Sequence, residues 1–345
     1  MFVYDRRRAV QLLETGWKLV REIFVVAPAD YASGGPELCH QLVHSLNREQ
    51  RRARIIYFPF GSNQKCPPEF QRYNITTATP EDVRPGSIVV LPEVFAQLLK
   101  YFPTGRIYFW WMSVDTFFKA ASYSLLGRHI TSRVVAGVQL RKLRQRVDQH
   151  LYQSEYAREF LEASGLHPSA RVSDYLADEY IQAASSPRHL SRSNLVVYNP
   201  SKGLDRSKLI IGELERSSFP MPEIVPLAGM NRDEVADLLA RAKIYIDFGE
   251  HPGKDRIPRE AVAFGTCVLV NRRGSAANFV DVPVPETFKI NDRVPGFERA
   301  AAETIRTTIE SFDQSAALFD EYRRRVAQEK TVFLEDIQTV FPTDL

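Results

Sequence analysis

From one end to the other, the chain alternates short apolar runs of β-favouring residues with stretches whose apolar residues recur at helical spacing. A polar or glycine-bearing turn marks each change-over. That rhythm points to a layered α/β fold, because successive parallel strands need a crossover and a helix supplies it. In the first half the strand-like runs are 23–27, 54–58, 87–91, 106–113, 150–154 and 170–176, about six βα units. A second series follows with runs 195–198, 223–227, 244–246 and 267–270. Between them, 183–193 is small, polar and aperiodic, which marks a linker. The expected organisation is a Rossmann-like domain over 1–182, a linker over 183–193, and a second Rossmann-like domain over 194–328. Residues 329–345 read as a final helix and tail that can pack back on the first domain. Smaller expectations include a helix over 5–22, another over 94–101, a basic helix over 137–149, and one or two helices over 297–328. Ser154 and Asn231 are expected helix caps.

The 345 residues fit two domains of ordinary size, and 44% hydrophobic content is ample for two cores. A net charge of +3, with no zinc-finger spacing and no RNA-binding aromatic motif, gives no reason to expect nucleic acid. Cys39, Cys66 and Cys267 are odd in number and far apart, as expected of reduced thiols in a cytoplasmic protein. No run approaches the ~20 apolar residues that span a bilayer. Arg6, Arg7, Arg8 and Trp17 on the first helix offer peripheral contact with an anionic membrane surface, against the blander reading of a helix packed on its own domain.

The polar stretches follow strand ends, where open α/β sheets bind ligands. The fullest is the run from Asp247 to Ala261, lying between an apolar strand and a short helix. Lys254, Arg256 and Arg259 bring positive charge there, and a helix N-terminus adds amide donors. His251 and Gly253 belong to the same loop. Glu260 suits a ribose diol, because a carboxylate accepts two hydroxyl hydrogen bonds, and equally suits a first-turn helix position. Upstream, 195–198 ends in Asn199, Lys202 and Gly203, and downstream 267–270 ends near Gly274 and Ser275. In the first half, Gly34 and Gly35 form a turn that lets backbone amides approach a phosphate. Two successive strands there end in Glu93 and Asp115, each either facing a ligand or capping a helix. The GxGxxG fingerprint and the P-loop pattern are absent.

Two Rossmann-like halves, a glycine pair after the first strand, and a Lys-Gly followed by a loop-helix Glu resemble glycosyltransferases of the GT-B architecture. Five stretches carry a closer resemblance to bacterial transferases of capsule, lipopolysaccharide and exopolysaccharide assembly. They are Ser33-Gly-Gly-Pro-Glu-Leu38, Trp111-Met-Ser-Val-Asp115, Gln153-Ser-Glu-Tyr-Ala157, Tyr198-Asn-Pro-Ser-Lys-Gly203 and the long run from Tyr245 to Glu260. The resemblance implies a nucleotide-sugar donor held by the second domain and a saccharide acceptor, a glycan or a lipid-linked sugar, held by the first. It implies that Lys202 meets the donor diphosphate, that Glu260 holds the ribose, and that Gly34 and Gly35 let the diphosphate approach. Where the common retaining pattern has another Glu, eight positions before Glu260, this chain has Pro252, with Glu250 two residues earlier. Val197 stands where an arginine is often found.

Glycosyl transfer passes through an oxocarbenium-like state as a nucleoside diphosphate leaves, so negative charge must be stabilised. Lys202, Lys254, Arg256 and the helix end near Arg259 are the candidates. No Asp-x-Asp pair is present to place a divalent ion, so neither metal nor other cofactor is expected. A general base, if the reaction inverts, is sought in the order Asp115, Glu93, Asp30. A retaining outcome is slightly favoured and needs none. The alternatives are a nucleotide-sugar epimerase of the same fold and a non-catalytic glycan- or nucleotide-binding protein.

Overall fold

The computed structural model describes residues 21–61, 65–123, 132–185 and 192–342. Arg6 to Arg8, Trp17 and most of the first expected helix lie outside them, as do residues 186–191 of the expected linker. The chain divides into two compact units, one of residues 1–90, 100–107 and 337–345, the other of 91–99 and 108–336.

Strand β1 (Ile23–Pro28) opens the first sheet, followed by β2 (Ala53–Phe58), β3 (Thr77–Ala78), β4 (Ile88–Pro92), β5 (Arg106–Trp111), β6 (Gln149–Tyr152) and β7 (Pro168–Arg171). The sheet order is β3-β2-β1-β4-β5-β6-β7. The second sheet holds β8 (Leu195–Tyr198), β9 (Glu223–Pro226), β10 (Ile244–Asp247), β11 (Cys267–Asn271) and β12 (Lys289–Ile290), in the order β12-β11-β10-β8-β9. Its ladders are parallel, with Ile244 opposite both Val196 and Cys267. The apolar run of β10 and β11 is buried throughout, as strands covered on both faces must be. The expected α/β class with two Rossmann-like sheets is thus the observed one.

Helices connect the strands. In the first unit, α1 (Gly34–Arg48) buries its expected stripe of Leu38, Leu42, Val43 and Leu46. It also buries Glu37, His40 and Gln41, a polar face that periodicity does not flag. His40 has partners for both nitrogens, the Pro36 carbonyl at 2.7 Å and the Tyr57 hydroxyl at 2.9 Å. The second unit contains α2 (Val114–Tyr123), α3 (Ser132–Arg146), α4 (Glu155–Ala163), α5 (Asp178–Ser185), α6 (Leu204–Arg216), α7 (Arg232–Arg241), α8 (Arg256–Ala263), α9 (Phe297–Glu310) and α10 (Phe312–Ala317). A longer helix, α11 (Asp320–Val340), follows as one continuous element through residue 329. Ser154 caps α4, accepting from the Ala157 amide, and Asn231 caps α7 through a reciprocal box with Glu234.

Two readings need correction. The strand expected over 170–176 ends at Arg171; the Val172 amide still donates to the Tyr152 carbonyl at 2.9 Å, but the Ser173 amide turns to the Asp336 carboxylate at 2.9 Å, and pairing with the sheet stops there. The helix expected over 94–101 is a 3₁₀ stretch from Glu93 to Tyr101, interrupted at Phe95. The two-residue strands β3 and β12 are too short to carry a period.

Candidate functional site

The second sheet reverses direction of growth between β8 and β10, since β9 lies on one side of β8 and β11 beyond β10. Such a switch point opens a crevice at the carboxyl ends of the two strands. The loops after β8 and β10 meet there. In the first, Asn199 accepts from the Ser201 amide at 2.9 Å and shapes the turn that presents Lys202. Gly203 follows with φ +63°, and a Cβ on it would lie 2.0 Å from the Phe248 carbonyl oxygen. Only glycine allows the two loops to approach so closely.

Lys202 Nζ lies 2.5 Å from Asp255 Oδ1, the residue preceding α8. The other oxygen of Asp255 is 2.8 Å from His251 Nδ1. Burial works against this carboxylate, yet the His251 hydrogen bond and Lys202 hold it down at about 2. His251 is fully buried with φ +46°, its Nε2 3.3 Å from the Asp247 carbonyl. Asp247 in turn accepts from the Tyr245 hydroxyl at 2.8 Å and the Gly249 amide at 3.1 Å. Asp247, His251 and Asp255 thus bring ligand-type atoms within 4.8 Å of one another. Each of these carboxylate oxygens also has a hydrogen-bond donor, and Lys202 brings a positive charge beside them.

Ser275 holds this loop from the β11 side, its amide donating to the His251 carbonyl at 2.9 Å and its hydroxyl to the Gly253 carbonyl at 2.6 Å. Gly253 pairs with Ser113 in an isolated antiparallel bridge, and the Val114 amide donates to Pro252 at 3.0 Å. A Cβ on Gly253 would fall 2.1 Å from the Met112 carbonyl oxygen. The Asn271 side chain donates to Gly249 at 2.9 Å.

The other expected donor-contact cations, like Lys202, have internal partners. Arg259 is 1% exposed and pairs with Asp174 and, at 2.7 Å, with Glu329. Lys254 reaches the same two carboxylates at 3.2 and 2.8 Å. Burial opposes the charge on Asp174, but Arg259 and Lys254 keep its carboxyl below the usual range. The four form a neutral buried quartet that joins the loop, α8 and α11 to the segment after β7. Arg256 binds Glu260 at 2.9 Å and lies over the Tyr180 ring at 5.4 Å. Glu260 is 3% exposed.

Glu93, also in this unit, is 2% exposed and accepts from the Met112 amide at 3.0 Å. Burial pushes its carboxyl up to about 8, with backbone amides opposing. Its oxygens hold the end of β5, where Ser113 meets Gly253. Asp115, in the first turn of α2, is half-buried and accepts from the Tyr156 hydroxyl at 3.2 Å. Burial raises its pKa and the Tyr156 hydrogen bond opposes. In the first unit, Asp30 is exposed with φ +50°, and Gly34 and Gly35 begin α1, whose N-cap Ser33 makes no side-chain cap bond.

Sequence reasoning passed over Asp174, Asp247, Asp255, Asn271 and Glu329. Asp247 and Asp255 each stand four residues from His251, and that spacing was the available signal. Asp174 and Glu329 had none, being brought in by the fold.

No protein-family model matches the chain, and no curated protein matches it in sequence. Its fold is similar to that of a sucrose-phosphate synthase from Thermosynechococcus elongatus (12% identity, TM-score 0.63), covering 93% of this chain and 98% of that one. A glycosyltransferase from Rickettsia africae is similar at 13% identity and TM-score 0.58, covering 94% and 99%. WaaG, a glycosyltransferase involved in lipopolysaccharide biosynthesis, is similar at 11% identity and TM-score 0.56, covering 92% and 98%. At these identities the likeness is one of fold, and that fold is the GT-B architecture expected from the sequence.

Proposed function

We propose that this chain is a glycosyltransferase. On this reading it moves a sugar from a nucleotide-sugar donor to a glycan or lipid-linked acceptor in bacterial surface polysaccharide assembly. The observation that carries it is the switch point of the second sheet, where Lys202 sits at the end of β8 beside the loop after β10. An ammonium there is suited to the departing diphosphate, and amide-rich turns at Gly203 and Gly274 add donors without a metal. Glu260, fixed by Arg256, is suited to the ribose diol. Lys254 and Arg259 contribute by shaping the loop, since their charges are matched within the quartet.

Acceptor activation differs between the two stereochemical outcomes. For a retaining reaction, slightly favoured here, the departing phosphate takes the acceptor proton. For an inverting one Asp115 is the best base: it is half-buried, and burial raises its pKa toward the working range. Glu93 is enclosed and bonded to backbone, which suits a positioning role. A membrane-facing acceptor places the protein in the cytoplasm, peripheral to the inner membrane. Among the described residues no helix is long and apolar enough to cross a membrane.

The test is a thermal-shift panel of UDP, GDP, CMP, ADP and dTDP, with and without magnesium. A ligand at ~100 times its dissociation constant adds about 2.7 kcal/mol. One nucleotide should stand out, independent of magnesium and lost in Glu260→Ala. Silence across the panel overturns the donor site. Incubating the matching nucleotide sugar with and without acceptors then separates transfer from epimerisation.

A further inference from the structure

His251 is constrained on every side. Its backbone occupies the left-handed region at φ +46°, where a residue with a Cβ persists only if its surroundings dictate it. Gly274 presses on it from the β11 side, close enough that a Cβ there would lie 2.0 Å from the His251 carbonyl oxygen. The ring is fully buried, and each nitrogen faces oxygen atoms that can only accept. Nδ1 meets Asp255 Oδ2 at 2.8 Å, while Nε2 meets the Asp247 carbonyl at 3.3 Å and Asp247 Oδ1 at 3.7 Å. A neutral imidazole donates from one nitrogen and turns a lone pair toward oxygen with the other. An imidazolium donates from both.

We propose that His251 is held as an imidazolium that, together with Lys202, offsets Asp247 and Asp255, so that the cluster does not oppose a diphosphate approaching the Lys202 ammonium and anion binding at this switch point is coupled to one buried proton. The anion half of this inference rests on the donor-site reading above. Two carboxylates and one ammonium sum to −1 with a neutral ring and to zero with a charged one. In the first state the cluster repels an anion that approaches Lys202, whose side chain is 34% exposed and forms the outlet of the network. In the second it does not.

The groups facing the ring come from three elements. They are Asp247 at the end of β10 with Tyr245 behind it, Asp255 before α8, and Lys202 after β8. The turn at Gly274 and Ser275 brings no charge of its own, and neighbouring Arg273 is bound to Asp292 and Glu250. Burial lowers the His251 pKa, but Asp247 and Asp255 outweigh it, and the net direction is upward from 6.5. A raised value means that the proton is kept at and above pH 6.5. Affinity for a diphosphate is therefore full below the raised pKa and declines as pH rises through it.

Two measurements on the full chain test this. Histidine-selective ¹⁵N NMR, with His251→Asn identifying the resonance, should show both His251 nitrogens protonated at pH 6.5. A neutral tautomer there overturns the proposal whatever ligand binds. Calorimetry then follows the nucleoside diphosphate selected by the panel between pH 6 and pH 9. The parent should lose about tenfold in affinity across the titration. His251→Asn, chosen because Asn tolerates left-handed backbone, should be weak and flat with pH. His251→Asn with Asp255→Asn restores the charge sum and should recover most of the loss, which repair of packing alone would not. Unchanged affinity in the single variant, or no recovery in the double, overturns the coupling. If no diphosphate binds the parent protein, the donor reading fails and the NMR result alone decides the state of His251.

Discussion

Replacing Arg259 with Met removes one cation from a quartet that is neutral as it stands. Asp174 and Glu329, each 8% exposed at the side chain, would be left with Lys254 as their charged partner among the described residues. Breaking a buried ion pair by deleting one partner costs about 3–5 kcal/mol, because the survivor stays desolvated. In a unit of this size that corresponds to a fall of about 6–20 °C in the unfolding midpoint. Trp110 and Trp111 are fully buried in the same unit, so intrinsic fluorescence reports the transition. Combining Arg259→Met with Asp174→Asn returns the sum to zero and should recover more than half of the loss. The Asp174 carboxyl is held below its ordinary 3.8, so its share of stability is present above that value and vanishes as pH falls through the folded one. The deficit of Arg259→Met should accordingly shrink in acid. A midpoint that moves less than about 3 °C, with no effect of the second substitution, refutes the quartet as a structural element. If stability is unmoved while diphosphate binding disappears, Arg259 faces the ligand, as its sequence context had suggested.

Two further outcomes follow from the same loops. Glu93 is raised by burial to about 8, so the folded protein keeps a proton there that the unfolded chain loses near 4.5. Stability attributable to this group falls as pH rises from 4.5 to 8; Glu93→Gln should match the parent in mild acid and exceed it in midpoint at pH 8, and parallel curves would contradict the burial argument. Gly203→Ala places a Cβ 2.0 Å from the Phe248 carbonyl oxygen in left-handed backbone and should cost about 2 kcal/mol or more. It should also weaken diphosphate binding by displacing Lys202, and a variant as stable as the parent would show that the loops can part freely.

Strand alternation made the fold legible, because burial on both faces leaves continuous apolar runs such as those of β10 and β11. The loop after β10 was legible for the same reason in reverse, a polar island between two buried strands. What stayed hidden was how its charges are matched. Lys254, Arg256 and Arg259 read alike as cations beside a helix N-terminus, yet one pairs within its own helix and two pair with carboxylates far off in the chain. Sequence spacing cannot announce partners such as Asp174 and Glu329, since neither lies on a shared helix turn with Arg259. Glu93 was recognised as a strand-end carboxylate, but its enclosure depends on the end of β5, a packing relation that periodicity does not contain.

The quartet also bears on the order in which the protein is made. Arg259 is separated from Asp174 by 85 positions and from Glu329 by 70. A growing chain therefore exposes both cations and the first carboxylate well before the second is synthesised. Until α11 arrives, the incomplete quartet of Lys254, Arg259 and Asp174 carries one excess positive charge on a surface meant for the interior. Parallel sheets closed by such distant partners form slowly and stay vulnerable meanwhile. Ribosome-bound chains halted before Glu329 should be cut by protease in the loop after β10, and chains extended past α11 should resist.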